Sequence, residues 1–507
     1  MSLKKILLGV TTLTLATRLL SLVSNQVFMS FFGGRDVYLN MYSYALNIPN
    51  IMFNFVGTVI SAVVVPIYSG LLVTDRQASR VFIHQAITFI CVVSLLLIGA
   101  GMFLAPVIAG WTNFHANYHD FLITALRVMM FAMFFYGLNY VFQGILQSHE
   151  RFLLPAVVSL PTSVVVIGYV VLFGGTWGVG GLVYATVIGL SLQAVLLLPG
   201  VVKLGIGFRP SLSFANPHVR EAMRLSLPVL LSVASFQIST LFNTTLATRF
   251  YVVAIMMFVQ NLMLVAILSI IYALMGVYLP KLTTLWEQAD RQGYRDTLTD
   301  VLLIVLSFLI PASVGLFMLA EPIINLISGW GNFGAYDVRV AAGMLSFYAT
   351  GVVAIGLKEV LDRGFYAQKD SKTPGVVGVV IMLTNIGLSL LIVGEAYHYT
   401  MPIGFAVSTT LGTLVLFAIM QRRVPVLSKR LVFNLAKFGV AVAVMAVAVY
   451  VSRGMATDVY VLGSEIISRG LELAVPVVAG FASYALMLVL LRVEGVSNLL
   501  GVFRRGQ

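Results

Sequence analysis

Residues 65–80 read VPIYSGLLVTDRQASR, and residues 279–295 read LPKLTTLWEQADRQGYR. In each, an apolar run contains a proline (Pro66, Pro280) and ends in a polar turn built on Asp75-Arg76 or Asp290-Arg291. A fresh apolar run follows each turn. The runs on both sides reach or exceed the roughly 20 residues that a helix needs to cross a bilayer. The two stretches therefore read as the same joint in two copies of one helical membrane unit. Further landmarks agree: Gly137, Leu138, Val141 and Pro155 recur as Gly356, Leu357, Val360 and Pro374, each 219 residues later.

Working outward from these joints, fourteen apolar segments cover the chain: 6–32, 38–72, 81–109, 119–146, 153–174, 179–202, 222–247, 251–284, 297–320, 338–366, 375–394, 399–421, 431–452 and 468–491. The fold class expected is an all-α membrane protein of about 14 transmembrane helices. The repeat divides it into a first lobe (residues 1–203, six helices), a second (204–424, six helices) and an added helix pair (425–507). Because six is even, both lobes begin on the same face, the parallel arrangement used by alternating-access transporters. The second, eighth and tenth segments are longer than a perpendicular crossing requires and are expected to tilt, bend or protrude. Composition agrees: of 507 residues, 59% are hydrophobic and 10% charged, with a mean hydropathy of +0.98. A soluble domain is about half apolar and a quarter charged.

The net charge of +12 would suggest nucleic acid as a partner in a soluble protein, but its distribution argues otherwise. With the N-terminus inside, 22 of the 31 Lys and Arg residues fall in cytoplasmic segments, Arg504 and Arg505 among them, and five (Arg35, Arg249, Arg339, Arg453, Arg469) fall outside. That bias fixes orientation by the positive-inside rule and requires an even number of crossings. It places both termini in the cytoplasm. The excess cations also attract anionic membrane lipids. Nucleic acid is not expected as a partner.

Lys4 and Lys5 precede an apolar stretch too long for a signal peptide, without a small-residue cleavage site, so residues 6–32 read as the first crossing. The lone Cys91 allows neither a disulfide framework nor a metal cluster. No phosphate-binding loop, HExxH or GxSxG occurs, and GGTWGVGG (174–181) reads as an outer turn. The chain is therefore expected to be no enzyme and to need no cofactor. Energy would come from a membrane potential, a substrate gradient, or a monovalent ion or proton.

Ionisable and polar residues at membrane depth are costly and so are candidates for function. Arg18 sits in LATRLLSLVSNQ (15–26), too deep to snorkel easily. Its planar, always charged fork suits a phosphate; a structural ion pair is the bland alternative. Ser24, Asn25 and Gln26 follow, and Asn25 shares Arg18's face, seven residues on. They would line a polar cavity or simply bond between helices. Lys358, Glu359, Asp362 and Arg363 cluster in the tenth segment as two i,i+4 pairs, either self-compensating or offering Glu359 and Asp362 for ion coupling and Lys358 for substrate. Gln260 and Asn261 interrupt MMFVQNLML (256–264) as polar groups for a substrate or for helix packing. Arg127, Glu321, Lys437 and Glu472 lie toward segment ends and read as interfacial, and His115, His119, His149 and His398 as solvated loop residues.

The stretch RGFYAQKDSKTP (363–374) resembles the signature that follows the tenth helix in the MurJ (MviN) lipid II flippases. Arg18, FFGGRD (31–36), NIPN (47–50) and VPIYSGLL (65–72) resemble that family's opening. The resemblance spans the chain, including the fourteen-helix plan. The last two helices separate it from MATE exporters of the same MOP superfamily, which usually have twelve. The resemblance implies a flippase in the bacterial cytoplasmic membrane that moves undecaprenyl-pyrophosphate-linked disaccharide-pentapeptide, a step in peptidoglycan and cell wall biogenesis that sustains cell shape. It implies a cationic cavity between the lobes, where Arg18, Ser24, Asn25, Asn261 and Lys358 would meet the substrate, and a groove at helices 13 and 14 for the lipid tail. Only Arg18 matches the family's cavity arginines; the others would fall near Ser24, Met52 and Asn261, and an acidic position falls on Asn25. Flipping of another polyprenyl-linked polysaccharide unit, or a non-transporting scaffold role, are the alternatives.

Overall fold

The computed structural model describes residues 3–207, 209–211, 213, 215–457 and 465–493. Arg504, Arg505 and the C-terminal end lie outside the described residues, so the placement expected for them has no structural counterpart here. All regular structure among the described residues is helical. The helices are α1 (Leu3–Phe32), α2 (Val37–Val59), α3 (Val65–Thr74), α4 (Arg76–Gly110), α5 (His119–Met130), α6 (Ala132–Ser148), α7 (Leu153–Ala156), α8 (Leu160–Val202) and α9 (Pro217–Ala247). There follow α10 (Val253–Glu287), α11 (Arg291–Met318), α12 (Ala320–Ser328), α13 (Ala335–Thr350), α14 (Val352–Ala367), α15 (Lys372–Ala396), α16 (Thr400–Arg423), α17 (Lys429–Thr457) and α18 (Glu465–Leu490).

Among the described residues, nine helical stretches are long and apolar enough to cross a bilayer, and α13 with α14, bent by 43°, make a tenth. One of the nine is itself a hairpin. Gly178 within α8 takes φ 55° and ψ −152°, and the chain doubles back. Gln193 Nε2 donates to Thr162 Oγ1 at 2.8 Å, and a Cβ on Gly189 would sit 2.7 Å from Thr162 Cα. Its two arms occupy the expected fifth and sixth segments. Large side chains such as Phe103 (82% exposed) and Leu391 (81%) point outward, which only a lipid solvent tolerates on this scale.

Of the three over-long segments, the second and tenth are broken, whereas the eighth continues unbroken as α10. Between α2 and α3 the backbone passes through a π turn, Ile60–Val64, closed by Val65 N–H to Ile60 C=O. The expected single helix at 119–146 is interrupted at Phe131, and that at 338–366 at Gly351. At the second break the Ala349 carbonyl accepts from Ser313 Oγ at 2.7 Å, so this carbonyl is not orphaned in an apolar medium.

The chain forms two compact units, residues 1–254 with 331–333, and residues 255–330 with 334–507. In the first, α4 packs on α5 and α6, α6 on α8, and α9 on α2. In the second, α11 packs on α13 and α14, α14 on α16, and the α17–α18 pair joins through α11 and α12. The two units repeat each other in detail. Asp75 caps α4 by accepting from the Gln77 and Ala78 amides, and Asp290 caps α11 by accepting from Gly293. The Leu146 carbonyl accepts from His149 and Arg151, ending α6 with Glu150 at φ 58°. The Phe365 carbonyl accepts from Gln368 and Asp370, ending α14 with Lys369 at φ 60°. These are the same helix stop, 219 residues apart. Gly137 lets α6 close on Ile90 and Phe53, and Gly356 lets α14 close on Leu309 and Ile271.

Candidate functional site

In the first unit, α1 packs on α7 and α8 through small hydroxyls. Thr17 Oγ1 donates to the Ala156 carbonyl at 3.2 Å, and Ser21 and Ser163 hydroxyls meet at 3.3 Å. At about 100° per residue, Ser24 falls on this same packed face and is buried (5% exposed). Arg18 and Asn25 lie about a quarter-turn away. Arg18 is exposed and Asn25 half-buried. The structure thus groups Arg18 with Asn25 and places Ser24 apart from both, as a packing residue.

In the second unit, Lys358 Nζ donates to Asp362 Oδ2 at 2.6 Å, and Arg363 Nη2 lies 3.7 Å from Glu359 Oε2. The Arg363 guanidinium sits 4.7 Å from the ring centroid of Tyr272 on α10. Both i,i+4 pairs read from the sequence therefore exist. They leave two buried atoms without hydrogen-bond partners, Asp362 Oδ1 and Arg363 Nε. Asn261 is exposed on α10, eleven residues before Tyr272, or about 16 Å along the axis at 1.5 Å per residue. It is not brought to the charged cluster.

Other expected assignments resolve individually. Glu321 pairs with Arg453 at 3.0 Å, and Lys437 donates to the Arg492 carbonyl at 3.1 Å. His119 Nε2 and His149 Nδ1 lie 3.1 and 2.9 Å from the Phe114 and Ile145 carbonyls, so these rings are tied to backbone rather than simply solvated. Among the described residues, no three His, Cys, Asp or Glu side chains come together as metal ligands would.

The stretch 363–374 is a mechanical joint between α10, α11, α14, α15 and α16. The Tyr294 hydroxyl of α11 donates to the Gly364 carbonyl at 2.7 Å, and Gln368 Nε2 donates to Tyr294 Oη at 3.1 Å. Lys369 pairs with Glu287 at 2.9 Å. Asp370 accepts from the Thr373 amide at 3.0 Å and hydroxyl at 2.7 Å, and pairs with Arg423 Nη1 at 2.7 Å. Partial burial alone would raise the Asp370 carboxyl, but the Thr373 bonds and the Arg423 guanidinium outweigh it and hold the group down at about 2. Sequence reading missed Tyr294, Glu287 and Arg423, which lie 53 to 82 residues from their motif partners and carry no local signal.

Taken as a fold, this arrangement is that of a multi-span membrane transporter. A solved structure described as a MATE family multidrug resistance transporter of the MOP superfamily is alike at a TM-score of 0.62 and 14% identity, covering 84% of this chain and 95% of that one. A lipid II flippase MurJ structure in an inward closed conformation is alike at 0.78 and 19% identity, covering 95% and 98%. The family model "Lipid II flippase MurJ" matches residues 28–469. The chain belongs to the lipid II flippase MurJ family. Its relatives include the lipid II flippase MurJ of Burkholderia cenocepacia, 25% identical over 83% of this chain and 84% of that protein. The probable lipid II flippase MurJ of Treponema pallidum is 25% identical over 95% and 94%.

Proposed function

We propose that this chain flips lipid II, the undecaprenyl-pyrophosphate-linked peptidoglycan precursor, from the cytoplasmic to the periplasmic leaflet of the bacterial inner membrane by alternating access. The single observation behind this is the family match over residues 28–469, which begins within α1 and runs into α18. The charge placement supports fourteen crossings with both termini cytoplasmic, and the repeat supports lobes of residues 1–203 and 204–424 with 425–507 guiding the lipid tail. Arg18 contacts the pyrophosphate, because it is an exposed, permanently charged fork at membrane depth. Asn25 lines the same face. Asn261 and Lys358 also contact the substrate, and Glu359 and Asp362 set the charge along α14 and take up a monovalent ion or proton during the return step. Ser24 acts through the packing of α1.

Depletion of the protein tests this. Lipid-linked precursor is expected to accumulate in the cytoplasmic leaflet, and unchanged precursor delivery to the outer leaflet refutes the proposal. One observation favours a second cargo, another polyprenyl-linked glycan: the positions where the resemblance puts further arginines carry Ser24, Met52 and Asn261. Which lipid-linked glycan accumulates on depletion separates the two.

A further inference from the structure

We propose that α4 holds an anionic glycerophospholipid astride its N-terminal half, one acyl chain on each side and the phosphate in a collar of arginines. Two apolar cavities flank this helix within the first unit. One, about 350 Å³, lies between α4 (Phe89, Val93), the π turn (Ile60, Val64) and α9 (Ala222, Met223). The other, about 270 Å³, lies on the opposite side, between α4 (Ile87, Cys91), α6 (Phe134, Leu138) and the connector at Ile206 and Gly207. Each is roughly nine to twelve times the volume of a liquid water, enough for a length of alkyl chain.

The connector from α8 to α9 runs across α4 between the cavities. The Ser211 amide donates to Thr88 Oγ1 at 3.1 Å, and Asn216 Nδ2 donates to Gln85 Oε1 at 2.7 Å. Arg209 is carried on this connector, and its charge and that of Arg80 both act on His84. Arg220 and Arg224 stand on α9 beside the lining residues Val219 and Met223. All four arginines are exposed, and among the described residues none lies within ion-pair distance of a carboxylate. The neighbouring Glu221 is 3.9 Å from His218 Nδ1. Basic groups beside an apolar cleft between membrane helices select anionic head groups. Two clefts separated by a helix fit the two chains of a glycerophospholipid, whereas a single polyprenyl chain fills only one. The assignment does not depend on which cargo the protein carries.

The test uses the full chain in nanodiscs of zwitterionic lipid containing phosphatidylglycerol or phosphatidylcholine with a photoreactive group on one acyl chain. Phosphatidylglycerol is expected to label peptides covering 85–93 and 198–207, with preference over phosphatidylcholine of ~5-fold per engaged arginine. The pair Arg80→Gln with Arg209→Gln should lower that preference by about 25-fold. Arg80→Lys with Arg209→Lys should retain most of it, which separates lost charge from lost folding. Equal labelling by the two lipids overturns the proposal. So does displacement of the probe by polyprenyl phosphate but not by excess phosphatidylglycerol.

Discussion

The Lys358 ammonium donates to the Asp362 carboxylate at 2.6 Å, one turn along α14, while the second Asp362 oxygen is buried without a partner. A pair enclosed this far from water is held by mutual compensation. Asp362→Asn strands the lysine charge and is expected to cost about 2–4 kcal/mol, below the figure for a fully enclosed pair because Lys358 keeps 22% of its side chain exposed. Thermal unfolding in detergent measures this. The double variant Lys358→Met with Asp362→Leu should recover most of the stability. If it also recovers precursor transport, Lys358 and Asp362 have no part in cargo or ion handling.

Arg18 should behave in the opposite way. It is exposed, so Arg18→Ala is expected to leave the melting temperature within a degree or two while abolishing transport. Arg18→Lys keeps the charge but loses the bidentate fork, and partial transport is expected. Transport undiminished in Arg18→Ala would remove this residue from the site.

Asp370 gives a pH dependence with a defined sign. Its carboxyl is held down at about 2 by Thr373 and Arg423, against about 3.9 in an unfolded chain. A group depressed by folding stabilises fully above its unfolded value and loses that contribution as pH falls through the folded one. The gap in melting temperature between wild type and Asp370→Asn should be constant from neutral pH to about 4.5 and close between about 4 and 2. A gap that persists at pH 2 contradicts the assignment.

The paired glycines offer a packing test of the repeat. Gly137→Ala puts a methyl group 2.9 Å from both Ile90 and Phe53, and Gly356→Ala drives one into Leu309. Each should destabilise by about 1–3 kcal/mol, and Gly99→Ala, with open space around it, should not. Equal effects at all three positions would count against equivalent close approaches in the two units.

Much of this fold was legible in the sequence because apolar length and turn chemistry are local properties. The Asp75 and Asp290 caps and the 219-residue offset are visible without coordinates and reappear as matching geometry, whereas Pro66 opens α3 after a π turn and Pro280 lies inside α10. The break at Gly351 was legible only as excess length, since a kink depends on a partner such as Ser313 to donate to the freed carbonyl, and the break at Phe131 carried no length signal. The site was half-legible. Arg18, Lys358 and Asp362 announce themselves by charge in an apolar run. The packing of Ser24 with Thr17 was not legible, because sequence order alone does not decide which helix face is buried. The joint of Tyr294, Gly364, Gln368, Asp370 and Arg423 was illegible because it is assembled from three distant segments.

Complementation puts lipid II flipping by this chain to a direct test. This chain is expressed in a strain whose own lipid II flippase can be depleted, with lipid II in the outer leaflet as the readout. Wild-type protein should restore growth and outer-leaflet lipid II, and Arg18→Ala at equal membrane abundance should restore neither. If the wild-type protein is present in the membrane at normal levels and lipid II still accumulates inside, the chain is not a lipid II flippase.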